Sequence, residues 1–116
     1  MKIGLVGLGQ DWLYQQQAVR KLSYKFRDYV ELGKCLAEEL KTDGCDIVIA
    51  LTHMDWREDV RLAESVPEID LVGGSMTISI GLRLSKEKTI VKSGTEYVQL
   101  SFRGYCGIYG WKASHC

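Results

Sequence analysis

The side chain best placed for chemistry is His53, at the end of the apolar stretch CDIVIALTHMDW, Cys45 to Trp56. A neutral imidazole binds divalent metals and carries protons near neutral pH. Ile47-Val48-Ile49-Ala50-Leu51 is a short apolar run rich in β-branched residues, without alternation, which predicts a strand buried on both faces of a parallel sheet. In open α/β sheets, sites lie just beyond the carboxyl ends of the strands, where His53 falls. A hydrogen-bonded loop histidine is the competing reading. Asp55 and Glu58 follow closely, but their three-residue spacing fits a helix N-cap and capping box better than an acid pair. Trp56 could line a pocket, although packing on its neighbours accounts for it equally well. Cys106, His115 and Cys116 carry metal-binding atoms, yet their spacing matches no common site. No CxxC pair occurs among the four cysteines.

A second candidate is the opening MKIGLVGLG. Gly4, Gly7 and Gly9 follow or punctuate a first predicted strand, Lys2 to Leu8, as in a dinucleotide-binding turn. That fingerprint requires a glycine three residues after the second, where the helix packs on the strand. Counted from Gly7 and Gly9, the position holds Trp12, so the pattern is incomplete. Asp28 or Glu31 lies near the offset of a ribose-binding acid, but an acid at that distance carries little weight alone.

Bulk properties narrow the choice. A chain of 116 residues is one domain at most. Fifteen basic residues balance fifteen acidic ones without a long single-sign run, which removes the electrostatic footprint of a nucleic-acid binder. No apolar stretch approaches the roughly 20 residues of a membrane span. Met1 to Gly9 lacks the small-residue cleavage pattern of a signal peptide. The compartment stays open.

The elements that must position His53 follow from periodicity. DWLYQQQAVRKLS is a moderate helix candidate. From Asp28 to Thr42, Tyr29, Gly33, Leu36, Ala37 and Leu40 recur on one helical face, while Glu31, Lys34, Glu38 and Lys41 face water, with Glu31–Lys34 and Glu38–Lys41 as pairs. Asp43-Gly44 stops the helix. The central strand then completes a βαβ unit. A helix from Asp55, with Val60, Ala63 and Leu62 as its apolar face, ends before Pro67, and EIDLVGG forms a very short third strand. MTISIGLRL, then TIVKSGTEYVQLSF around Ser93-Gly94-Thr95, read as further short strands separated by the polar turn SKEK. Phe102 to Cys116 shows no period.

GLVGLGQDWL, VELGKCLAEELKTDGCDIVIALTHMDWREDVRLAESVPEIDLVGG and IVKSGTEYVQLSF together resemble, in order and distance, the second half of the metallophosphoesterase domain of 5′-nucleotidase-like proteins. The resemblance covers residues 2–102 and leaves 103–116 as an unmatched tail. It implies an α/β fold: part of a four-layer sandwich, with a mixed, mostly parallel sheet and flanking helices. It also implies a pair of divalent metals (manganese, zinc or magnesium) at the strand ends, activating water to attack a nucleotide or other phosphate ester. His53 matches the family's "THM" histidine and is the one metal ligand that carries over. The His-x-His expected after Gly74 is replaced by Ser75-Met76-Thr77, and neither hydroxyl substitutes for imidazole. The other ligand blocks would precede Met1.

One histidine does not hold two metals, so the expectation is a fragment or degraded member of the family, inactive by itself and without a catalytic or cofactor-binding residue of its own. The loss of similarity after Gly74 and its return near Ile90 are what a shifted reading frame would produce. Two alternatives stand beside this one: a non-catalytic α/β binding module and a Rossmann-like nucleotide binder. Half a sandwich exposes an apolar sheet face and an unpaired edge, so a dimer or partner chain covering that sheet is expected.

Overall fold

A computed structural model describes residues 1–11, 26–74, 80–86 and 88–93. The predicted helix after Asp11, the second strand of TIVKSGTEYVQLSF and the tail lie outside them. The described chain runs β1 (Ile3–Gly9), α1 (Tyr29–Thr42), β2 (Ile47–His53), α2 (Trp56–Ser65), β3 (Leu71–Gly74), β4 (Ile80–Ser85) and β5 (Lys88–Ser93). The strands form one five-stranded sheet in the order β1-β2-β3-β5-β4. β1, β2, β3 and β5 pair in parallel, and β4 returns antiparallel on β5. The α/β class and mostly parallel sheet expected from the sequence are therefore present.

Local chemistry sets the helix limits. Asp28 caps α1 by accepting hydrogen bonds from the Val30 and Glu31 amides at 2.9 and 3.3 Å. Gly44, with φ of 83°, takes the left-handed position after the helix, and the Cys45 amide returns to the Leu40 carbonyl at 3.0 Å. The expected Glu–Lys pairs are replaced: Lys34 meets Glu38 at 3.8 Å, and Lys41 reaches off the helix to Asp70 at 2.9 Å. The capping box at α2 is also absent. Asp55 occupies the N-cap without a side-chain cap bond, because its carboxylate accepts from Gln10 and Glu58 accepts from the Tyr29 hydroxyl.

The central strand corrects an expectation. β2 is not buried on both faces. Val48, Ala50 and Thr52 are buried, whereas Leu51 and His53 are exposed, and β1 alternates in the same way. The reason is topological. Steps from β1 to β2 to β3 move across the sheet in one direction, and right-handed crossovers then place both connecting helices on one face. Among the described residues the hydrophobic core lies between that face and α1 and α2, built from Val6, Leu8, Val48, Ala50, Val72 and Ile90 against Tyr29, Ala37, Leu62 and Ala63. Gly33 lets α1 approach closely: a Cβ there would lie 3.0 Å from Leu8 and 3.1 Å from Leu62. The opposite face carries Leu5, Leu51, Leu82 and Leu84, each more than half exposed. Within the described residues the architecture is two layers, one sheet and one layer of helices.

β1 runs through Gly7 and Gly9 instead of breaking there. Gly7 pairs with Leu51 and Gly9 with His53. A dinucleotide fingerprint uses its first two glycines in a turn, and here both are in the strand, which counts against that reading. Trp12 lies outside the described residues.

Candidate functional site

The register of the parallel strands defines the site. Gly9 of β1 lies beside His53 of β2, and Thr52 lies beside Gly74 of β3. Gly74 in turn pairs with Lys92 of β5. Four strands thus end together, and the sequence-predicted His53 stands at this carboxyl edge, exposed, on the open face of the sheet. Beside it an open groove of about 500 Å³ is lined by Gly7, Leu8, Leu51, Thr52, His53 and Gly73. Its floor follows from register: Leu51 sits between Gly7 and Gly73, two positions without side chains.

Beneath that edge, on the helix face, is a polar cluster that pattern reading missed. Lys92 and Asp59 are both fully buried and form an ion pair at 2.7 Å. The Asp59 Oδ2 atom faces Lys92 Nζ as an opposite charge, without an aligned hydrogen bond. Asp59 Oδ1 accepts from the Thr52 hydroxyl at 2.5 Å. Lys92 Nζ donates to the Met54 carbonyl and lies 5.4 Å from the centre of the Trp56 ring. Gly74 is the place where the sheet backbone meets this pair: a Cβ there would stand 2.8 Å from Asp59 Oδ2 and 3.0 Å from Lys92 Cε. A signal existed. Asp59 shares a helical stripe with the buried Leu62 and Ala63, and Lys92 shares a strand face with the buried Ile90. A charge in an apolar stripe calls for a buried partner.

The other sequence candidates have structural roles. Asp55 is tied to the residue after β1, its amide donating to Gln10 Oε1 at 2.8 Å and its carboxylate accepting from Gln10 Nε2 at 3.3 Å. Glu58 belongs to a cluster between the helices with Tyr29 and Arg61. Arg61 donates to the Tyr29 hydroxyl at 3.1 Å, stacks 5.3 Å from its ring centre and lies 3.6 Å from Asp28. Burial, then the Glu58 contact, pushes the Tyr29 phenol up to about 12. Trp56 packs on its neighbours, with its ring against Gly81. Ser75, Thr77, Cys106, His115 and Cys116 lie outside the described residues.

No protein-family model matches the chain. The chain is similar to a snake venom 5′-nucleotidase from Naja atra, with 36% identity over 81 residues. The match covers 69% of this chain and spans 15% of the relative's length. Among the described residues, no group of three or more histidines, cysteines or acids lies together as a metal site. A pair of divalent cations needs several convergent donors, and a single strand-end imidazole does not supply them. The described residues therefore do not fit the metal pair that a 5′-nucleotidase likeness would bring, and no step of a metal-assisted reaction follows from them.

Proposed function

We propose that this chain is a piece of the 5′-nucleotidase-like metallophosphoesterase scaffold that carries one metal ligand, His53, and does not by itself hydrolyse phosphate esters. The supporting observation is the place of His53: the carboxyl end of the second strand of a parallel sheet, in a chain 36% identical over 81 residues to a 5′-nucleotidase. In this reading the substrate class is a nucleotide or related phosphate ester. The remaining ligands come from polypeptide other than the described residues. The test is release of phosphate from a nucleoside monophosphate with added manganese or zinc, comparing the chain with His53→Ala. Neither protein is expected to exceed the metal-only blank. Metal-dependent release that disappears in His53→Ala would refute the claim of inactivity.

A second reading has its own observation. Leu5, Leu51, Leu82 and Leu84 form an exposed apolar sheet face, and β1 is an edge strand among the described residues. Such a surface favours association. Under this reading the chain is a non-catalytic module whose open face is covered by a partner chain or a second copy. Sedimentation of the purified chain over a range of concentrations tests the second copy: a mass that rises with concentration supports it, and a mass that stays monomeric at all concentrations counts against self-association.

A further inference from the structure

The Asp59–Lys92 pair lies on the helix face of the sheet, whereas His53 is on the open face, so the pair cannot touch anything bound beside His53. It does hold both sides of the chain that carries His53. Thr52 precedes His53 and gives its hydroxyl to Asp59 at 2.5 Å. Met54 follows His53 and accepts from Lys92 Nζ through its carbonyl. The residues on either side of the imidazole are thus fastened from below by two halves of one ion pair.

The pair and the Thr52 hydroxyl it holds bring together three elements: Lys92 comes from β5, Asp59 from α2 and Thr52 from β2. Gly74, ending β3, has room for them only because it lacks a side chain. A buried ion pair is weak evidence for stability, since desolvating two charges offsets most of their attraction. Apolar residues of similar volume would fill the same space. A geometric role explains why charges are placed here: each carries a directed hydrogen bond that an apolar side chain lacks.

We propose that Asp59 and Lys92 are positioning residues. Through Thr52 and Met54 they fix the backbone on both sides of His53 and so set the direction in which the imidazole leaves the sheet. The proposal concerns the orientation of His53 and holds whether or not a metal binds there. Its test therefore uses the full chain without metal, and its failure is distinct from a failure of the phosphoesterase reading.

The decisive variant is Asp59→Leu/Lys92→Met, which removes both charges and keeps the volume. Two quantities are read: the urea midpoint, for stability, and the NMR signals of the His53 ring with amide exchange at His53 and Met54, for the turn. The expected result is a midpoint within about 0.5 M of the parent, a displaced His53 ring signal, and amide exchange at least about 10-fold faster at the turn. A purely structural pair would leave the ring signal and exchange at parental values in a folded double variant, and that result overturns the proposal. If the double variant does not fold, Thr52→Val decides, because it removes one fastening and leaves the ion pair. A displaced His53 signal in Thr52→Val supports the proposal, and an unchanged one overturns it.

Discussion

The open face of the sheet gives a prediction with a magnitude. Leu5, Leu51, Leu82 and Leu84 are 61, 51, 55 and 66% exposed. Full burial of a leucine contributes about 1.5–3 kcal/mol, so each of these leaves roughly 1–2 kcal/mol unrealised in the monomer, or about 4–7 kcal/mol for the four. Leu5 lies on β1 and Leu84 on β4, the two outermost strands among the described residues. Replacing both with lysine removes only the minor part of each side chain that is already buried, and the lysine stem recovers some of that contact. The expected cost to the folded monomer is about 1 kcal/mol or less. The effect on association is large, because a face that meets another apolar face would have to bury two charges. Urea unfolding and sedimentation velocity, run on parent and Leu5→Lys/Leu84→Lys, measure the two quantities. The parent is expected to gain mass with concentration and the variant to stay monomeric. A loss above about 3 kcal/mol would mean that the lysines are buried within the monomer. That result would refute the argument that this face is open.

Three further outcomes follow from named contacts. Lys92→Met alone leaves the Asp59 carboxylate buried without its counter-charge, and the expected loss is about 3–5 kcal/mol by urea unfolding. Asp28→Ala removes both cap bonds at the start of α1 and is expected to cost about 1 kcal/mol by the same measurement. Tyr29, raised from 10.0 to about 12 in the fold by burial and Glu58, keeps its proton more tightly folded than unfolded. Its contribution is complete below pH 10 and is lost as pH rises through about 12, so Tyr29→Phe is expected to flatten the stability profile between those values.

Much of the fold was legible because local rules and packing agree. The α1 stripe, the glycine that ends it and the apolar β2 run all mark their elements directly, and Asp43-Gly44 gives the boundary almost to the residue. The one-sided sheet was not legible. Ile47 to Leu51 is apolar at every position, so its composition says nothing about which residues a second layer covers. Only the strand order, with β1, β2 and β3 stepping one way, places both helices on one face. Glu58 and Asp55 show a similar limit. Their spacing satisfies a capping box, but Tyr29 and Gln10, distant in sequence, take the two carboxylates instead.

The site was half legible for a related reason. His53 was singled out because strand ends concentrate function, a rule that needs only the strand, and the fold places it at such an end. The pair beneath it requires knowing that Asp59 and Lys92 face each other, 33 positions apart, across a helix–sheet contact. Gly74 links the two levels. In the sequence it closes the very short third strand; in the fold it is the last residue of β3, and the space of its missing Cβ is occupied by Asp59 Oδ2 and Lys92. Adding that single carbon should therefore act at a distance. Gly74→Ala must displace the ion pair before it disturbs β3, and overpacking of this kind costs about 1–3 kcal/mol. If the pair fastens the turn, the same substitution moves the His53 ring signal although Gly74 lies on the opposite face of the sheet. A stability loss with an unmoved His53 would confine the role of the pair to packing.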